Sequence, residues 1–474
     1  MDDVTRRTFL GTAGVAAAIG SAAEAKESGE RKRKKGTAMS FRRDIAALVD
    51  KTPLVDTHEH VWEEANRLKS KKGPSPFPAP DVGILFTHYT DSDLQVSGMP
   101  PENGAKIRAY NVAPRDKWKL IAPYYERCRH TGYQQVVRES VRMLFGEDDV
   151  RDDTCEAISR KLFDAMKPGY YKHVLRDVAN IEYCQVNNLE TPVFMETAQP
   201  DLLAQDISTV ALGSGLNVEP VLKLAKRDAS TLKDWHEVID WCFATFGPRA
   251  IATKNQSAYG RRLDYAQVSA SDAAPLFERF RKDEKSLAPA EMKALQDHLF
   301  HYCIEKAVEY NLPVKLHTGY YAGCGGMPLE RLRKNASDLC PVMFAHPKAK
   351  FVLMHIDYPY QDEVIALAKH YPNAYVDMCW AWIINPAASV RFVKEFLMAA
   401  PVCKLLTFGG DYCPVELVPG HARVARKGLA QAVAELAESG WLEDGDVPGV
   451  VERIMRGNAR EIFDYERALK NWKR

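Results

Sequence analysis

The sequence predicts an α/β chain folded as a (β/α)8 TIM barrel, with a largely helical insertion after the first strand. Three observations predict it. From residue 44 onward, short β-type runs alternate with long helical stretches, as in parallel strands joined by crossover helices. Eight such runs can be counted, the number that closes a barrel. Several of them run directly into His or Asp, and barrels of this kind carry their chemistry at the C-terminal strand ends.

In chain order the strands are expected at residues 54–56, 181–186, 218–222, 250–253, 314–316, 351–354, 374–377 and 405–408. Each is a short aliphatic or aromatic run bounded by polar or turn-forming residues. Two connections are longer than a barrel needs. Residues 61–180 pass through Pro74, Pro76, Pro78 and Pro80 and then show helical patterns at 118–130 and 154–166, which reads as an insertion over the barrel mouth. Residues 261–300 expand the fourth strand-to-helix connection in the same way. Additions of this length to a compact domain are lids, binding elements or disordered segments.

Ahead of the barrel, Thr5-Arg6-Arg7-Thr8-Phe9-Leu10-Gly11 precedes a mild apolar run that ends at Ala23-Glu24-Ala25. This resembles a twin-arginine export signal, residues 1–25, which implies passage through the twin-arginine machinery to a periplasmic or extracellular location. The apolar run is too short and too mild to span a bilayer, so no stable membrane insertion is expected. Residues 26–43, with Arg31-Lys32-Arg33-Lys34-Lys35, read as a basic flexible linker, and the catalytic domain is placed at 44–474.

Composition narrows the function classes. Of 474 residues 46% are hydrophobic and 27% charged, which suits a large soluble core, and 64 basic against 63 acidic residues leave a net charge of +1. Nothing in that balance steers the chain toward nucleic acid. The ten cysteines are scattered without a CxxC pair, as expected of buried thiols rather than a disulfide framework. Oligomeric state is not legible, and a homo-oligomer is compatible with the sequence.

The residues that carry chemistry begin at Leu54-Val55-Asp56-Thr57-His58-Glu59-His60. Side chains alternate along an extended chain, so His58 and His60 project to one side, about 6 to 7 Å apart along the backbone, and can converge on a cation. Alone, such a pair also fits two satisfied histidines. Further on, Pro313-Val314-Lys315-Leu316 runs into His317, Phe351-Val352-Leu353-Met354 into His355, and Leu405-Leu406-Thr407-Phe408 through Gly409-Gly410 into Asp411. Imidazole and carboxylate groups at four strand ends make a set suited to a divalent ion. The remaining histidines, His88 and His421 among them, are expected in the surface or core.

Taken in this order, the motifs resemble the amidohydrolase superfamily, in its amidohydrolase-related branch that includes metal-dependent decarboxylases. The resemblance runs from residue 52 to about 412. It is closer still to the amidohydrolase-like domains fused to glutamine synthetases, on the segments 313–319 and 355–360, while Gly409-Gly410-Asp411 departs from the family's Gly-Ser-Asp. The resemblance implies metal ligation by His58, His60 and His317, with Asp411 as ligand, base or both. It implies a polarising or acid–base role for His355, whose alternative is a structural hydrogen bond. Lys254, in a segment resembling the strand-four signature, is expected to join Arg261 or Arg262 in holding a substrate carboxylate rather than to bridge two metals. Tyr320, directly after the strand-five motif, is expected to wall the pocket.

The function expected on these grounds is hydrolysis of a C–N, C–O or C–C bond in a small polar or carboxylate substrate. The cofactor is one divalent ion activating water, zinc first and manganese second. Nonoxidative decarboxylation ranks next and uronate isomerisation third. A noncatalytic exported binding module is the alternative outside enzymology.

Overall fold

The computed structural model describes residues 35–472, and the export signal expected at 1–25 lies outside the described residues. The strands are β1 (Leu54–Glu59), β2 (Ile181–Val186), β3 (Leu203–Gln205), β4 (Ile207–Ser208), β5 (Thr253–Asn255), β6 (Val314–His317), β7 (Phe351–Met354), β8 (Ala374–Asp377) and β9 (Leu405–Leu406). Every laddered pair is parallel, in the orders β1-β2-β3 and β4-β5-β6-β7-β8-β9. β3 and β4 are one barrel stave interrupted at Asp206. The stave stays bonded on both sides, with Asp206 N donating to Val186 O at 2.9 Å and Ile207 N to Ala252 O at 3.0 Å. The ring closes beyond β9, where Thr57 N donates to Phe408 O at 2.9 Å and His60 N to Tyr412 O at 3.1 Å. Eight parallel staves, closed, make the expected TIM barrel.

One expected strand is wrong. Residues 218–222 lie in the helix Val218–Ala225, whose buried positions Val218, Val221, Leu222 and Ala225 have helical spacing. A short apolar run cannot by itself distinguish strand from helix. The true third stave at 203–208 escaped because Gln205, Asp206 and Ser208 break its apolar pattern. The expected flexible linker also ends early, since the helix Lys35–Lys51 takes in residues 35–43. Phe41, Ile45, Leu48 and Val49 recur at helical spacing and meet the core, which orders that stretch.

The barrel interior is graded. At its lower end Val55, Tyr183, Ala204, Ile251, Val352 and Leu406 pack together, closed off by Ala459, Ile462 and Phe463. Above them sits a buried ion pair, Lys315 Nζ to Asp206 at 2.5 Å, with Lys315 also donating to Thr57 O at 2.8 Å and Gln185 Oε1 at 3.1 Å. The polar end therefore faces the strand C-termini.

Over that end lies the insertion, which is helical as expected. Its main helices are Tyr89–Val96, Pro101–Arg108, Pro114–Cys128, Gly132–Phe145 and Cys155–Ala165. The 261–300 expansion holds the helix Ala270–Lys282 and the first half of Pro289–Glu309. Among the described residues no helix is long and apolar enough to cross a membrane. All ten cysteines are unpaired.

Candidate metal centre and substrate cavity

β1 delivers His58 inside the strand and His60 just past it, with ring centroids 4.6 Å apart. Asp411 reaches the same point from the other side of the barrel seam. Its backbone is left-handed, φ +61°, a conformation Asp tolerates better than most residues, and its N–H donates to His58 O at 2.9 Å. Asp411 Oδ1 then lies 3.1 Å from His58 Nε2 and 3.2 Å from His60 Nε2. All three side chains are buried, and their ligand atoms lie within 4.8 Å of one another.

Hydrogen-bond accounting tests whether this set suits a cation. His60 Nδ1 lies 2.6 Å from Asn187 O, and a carbonyl only accepts, so Nδ1 carries the proton. A neutral His60 then turns a lone pair at Nε2 toward Asp411 Oδ1, which is also an acceptor. A divalent ion between them resolves that conflict, and the carbonyl anchor behind the ring is the usual way a ligating imidazole is oriented. Burial, with the charge of Lys254 adding, holds His58 well below the ordinary imidazole range. Burial works against ionisation of Asp411, but His58 and His60 outweigh it and keep the carboxyl well below its usual value. Two imidazoles beside a carboxylate are the donor set a divalent metal takes.

The structure places the other expected residues unevenly. His355 is fully buried, with Nε2 3.9 Å from Asp411 Oδ2. His317 lies beside it, ring centroids 4.4 Å apart and the rings tilted by 57°, but its Nε2 donates to Tyr320 O at 2.9 Å, and it is not among the residues whose ligand atoms converge. Burial and then Lys254 lower its pKa to about 3. Lys254 is buried beside the pair, with Nζ 3.3 Å from His58 Nε2 and its pKa lowered by burial to about 8.

The expected clamp of Lys254 with Arg261 or Arg262 does not assemble. Arg261 binds Asp297 and Gln296, and Arg262 pairs with Asp338 at 2.9 Å with its side chain 47% exposed. Their guanidinium groups are already satisfied by Asp297, on the helix Pro289–Glu309, and by Asp338. Arg261 still lines the mouth. Tyr320 packs on Trp380 at 5.9 Å and contributes its carbonyl to His317.

A cavity of about 560 Å³ opens from His60 toward solvent, walled by Ser214, Gln256, Ser257, Tyr259 and Arg261, with His88 and Tyr89 entering from the insertion. Tyr89 stacks on Trp380 at 4.4 Å, which fixes the insertion to the barrel rim. Burial raises its hydroxyl well above the usual phenol range, and the Asp411 carboxylate beside it adds to the effect. Sequence reasoning missed Tyr89, and it discounted His88. No spacing signal marks either, because the insertion folds back on the site through tertiary packing. It also discounted His421, whose Nδ1 donates to Gly410 O at 3.0 Å and so braces the turn that carries Asp411. Cys379, read as one more buried thiol, lies with its Sγ in a second convergent group formed with His355 and Asp411.

Comparison with known proteins is consistent with this geometry. A 227-residue stretch is 28% identical to protein fluG of Emericella nidulans; it covers 46% of this chain but only 25% of that protein's length. The uronate isomerase of Brucella canis is 21% identical over 463 residues, covering 89% of this chain and 96% of that one. Among solved structures, glucuronate isomerase from Caulobacter crescentus superposes with a TM-score of 0.73 at 16% identity, covering 91% of this chain and 95% of the other. Uronate isomerase from Thermotoga maritima gives 0.71 at 16%, covering 90% and 97%. The structural likenesses establish the fold. Residues 204–465, more than half of the sequence and including β6 to β9 with Asp411, match the Amidohydrolase family model, and the chain belongs to that family.

Proposed function

We propose that the protein is a metal-dependent enzyme that interconverts the aldose and ketose forms of a small sugar acid. The observation that carries the reading is the division of the Asp411 carboxylate. Oδ1 faces the His58–His60 pair at 3.1 and 3.2 Å, while Oδ2 faces His355 at 3.9 Å and the Tyr89 hydroxyl is close by. A divalent ion held by His58, His60 and Asp411 would supply Lewis-acid polarisation of a substrate oxygen.

The chain's own groups fit the rest of the chemistry. Asp411, held anionic, is the group able to take a proton from the carbon next to a carbonyl and return it to the neighbouring carbon, while the neutral Tyr89 hydroxyl can give a proton to one oxygen and recover one from the other. Lys254, buried beside His58, adds positive charge toward developing oxyanion character. Hydroxyl and amide groups of Ser257, Tyr259 and Gln256 offer hydrogen bonds to a polyhydroxylated chain. The match to uronate isomerases runs through the helical insertion as well as the barrel. That extent supports placing isomerisation ahead of the hydrolysis and decarboxylation ranked above it from sequence alone.

Hydrolysis is the second reading. It is favoured by the family match over residues 204–465 and by Asp411 Oδ2, which is free to take a proton from water. Incubation of the purified protein with D-glucuronate or its C4 epimer, before and after chelation, separates the two. Metal-dependent appearance of a ketose supports isomerisation. Failure with both sugars, together with metal-dependent cleavage of simple amides or esters, would replace it with hydrolysis. Export by the twin-arginine route, and action outside the cytoplasm, belong to the same proposal and rest on residues 5–25.

A further inference from the structure

We propose that the centre holds a second cation, bound by His355, Cys379 and Asp411, so that Asp411 bridges two ions. This rests on the metal-enzyme reading above and extends it to a site with a thiolate ligand.

The ligand atoms of His355, Cys379 and Asp411 all lie within 4.8 Å of one another and all three residues are buried. Among the described residues this and the His58–His60–Asp411 set are the two convergent groups of metal-ligating side chains, and they share only Asp411. The sharing is divided by oxygen. Oδ1 serves the two histidines of β1, whereas Oδ2 is turned to His355 Nε2 at 3.9 Å, too far for a hydrogen bond. Two bonds of about 2.1 Å meeting at one ion span up to about 4.2 Å, so a cation fits that separation.

His355 points to a ligand independently of the cysteine. The residue is 0% exposed, and neither Nδ1 nor Nε2 has a hydrogen-bond partner. Buried imidazoles are ordinarily fixed through at least one ring nitrogen. Here both are left open at the edge of a cluster whose other members are metal-ligating groups.

The backbone is shaped to bring the thiol in. Cys379 follows β8 in a left-handed conformation, φ +42°, held by its N–H donating to Asp377 Oδ1 at 3.0 Å and by Met378 N donating to Leu406 O at 3.0 Å. A β-carbon on Gly409 would come within 2.8 Å of the sulfur, so the first glycine of the Gly-Gly-Asp turn clears the space the thiol occupies. Sulfur, imidazole and carboxylate together select a borderline-soft ion such as zinc or cobalt over magnesium or calcium. On binding, the ion replaces the Cys379 thiol proton, which leaves to solvent.

The test is cobalt titration of metal-stripped, full-length protein, read by bound metal per chain and by near-ultraviolet absorption. Two cobalt ions per chain are expected. Occupancy of the second brings a thiolate-to-cobalt charge-transfer band, and Cys379→Ser and Cys379→Ala each lose that band and one equivalent of metal. A single cobalt without the band would overturn the second site and leave the His58–His60–Asp411 centre standing. No bound cobalt would overturn both. Two ions without the band, or a band that survives Cys379→Ala, would also overturn the assignment. The wild-type titration decides even where a variant fails to fold.

Discussion

The Glu59 carboxyl fills the space that a side chain at position 410 would need. A β-carbon built on Gly410 overlaps Glu59 Oε1, and Glu59 Oε2 accepts the N–H of Tyr412 at 2.7 Å. Glu59 thus reaches across the seam of the barrel and fixes the turn on both sides of Asp411. This fits the glycine at 410 where the resembled signature has serine, because a side chain there would have to displace the Glu59 carboxyl. Gly410→Ser is therefore expected to destabilise the protein by about 1–3 kcal/mol, the usual cost of overpacking, and to weaken metal retention by displacing Asp411. Pairing it with Glu59→Ala should recover much of both losses. Thermal unfolding and bound-metal analysis of the two variants check this, and a double variant no better than the single one would show the two residues to be uncoupled.

Asp411 combines ligation and proton transfer, and the two roles separate on substitution. Asp411→Asn keeps an oxygen for the His58–His60 set but removes the anionic base. The variant is expected to retain bound metal at least in part while kcat falls by roughly 10²- to 10⁴-fold, the range for a lost general base. Metal analysis beside steady-state kinetics measures both. Near-normal turnover would move the proton-transfer role to another group.

Tyr89 tests whether the insertion takes part in the chemistry or only covers it. Its ring is held by Trp380 at 4.4 Å, so Tyr89→Phe should leave the stack and the fold intact while removing the hydroxyl next to Asp411. A loss in kcat of about 10²-fold with little change in KM is expected of a proton donor. An unchanged kcat would reduce Tyr89 to a wall residue.

How much of this was legible in the sequence follows from where each signal comes from. His58, His60, His355 and Asp411 stand at ends of apolar strands, and the two-residue period of β1 alone aligns the first pair. The barrel was legible for the same reason. The third stave was not, because Asp206 turns to the buried Lys315 and, with the polar Gln205 and Ser208 on either side, erases the apolar pattern that marks a strand. Arg261 and Arg262 look like a clamp until Asp297 and Asp338, distant in sequence, are seen to neutralise them. Cys379 was hidden among ten similar residues. Only the pairing of β7 with β8 brings its sulfur beside His355.

Two histidine pairs far from the centre give the protein an acid-sensitive face. His301 Nδ1 lies 2.7 Å from His346 Nε2, and His236 Nε2 lies 3.0 Å from His298 Nε2, so within each pair one ring donates to the other and a second proton has no acceptor. Burial lowers His346 to about 4, with His301 adding, and burial lowers His236 to about 4, with His298 adding. The unfolded chain takes these protons near pH 6.5. Between about 6.5 and 4 the unfolded state therefore binds more protons than the fold, and stability rises with pH across that window. It is complete above about 6.5 and is lost as pH falls toward 4, by about 1–2 kcal/mol per pair after allowance for partial solvent screening. Replacing His346 and His236 with Gln should flatten the fall in melting temperature between pH 6.5 and 4.5 while leaving bound metal at pH 7.5 unchanged. An equally steep fall in the double variant would assign the acid sensitivity to other groups.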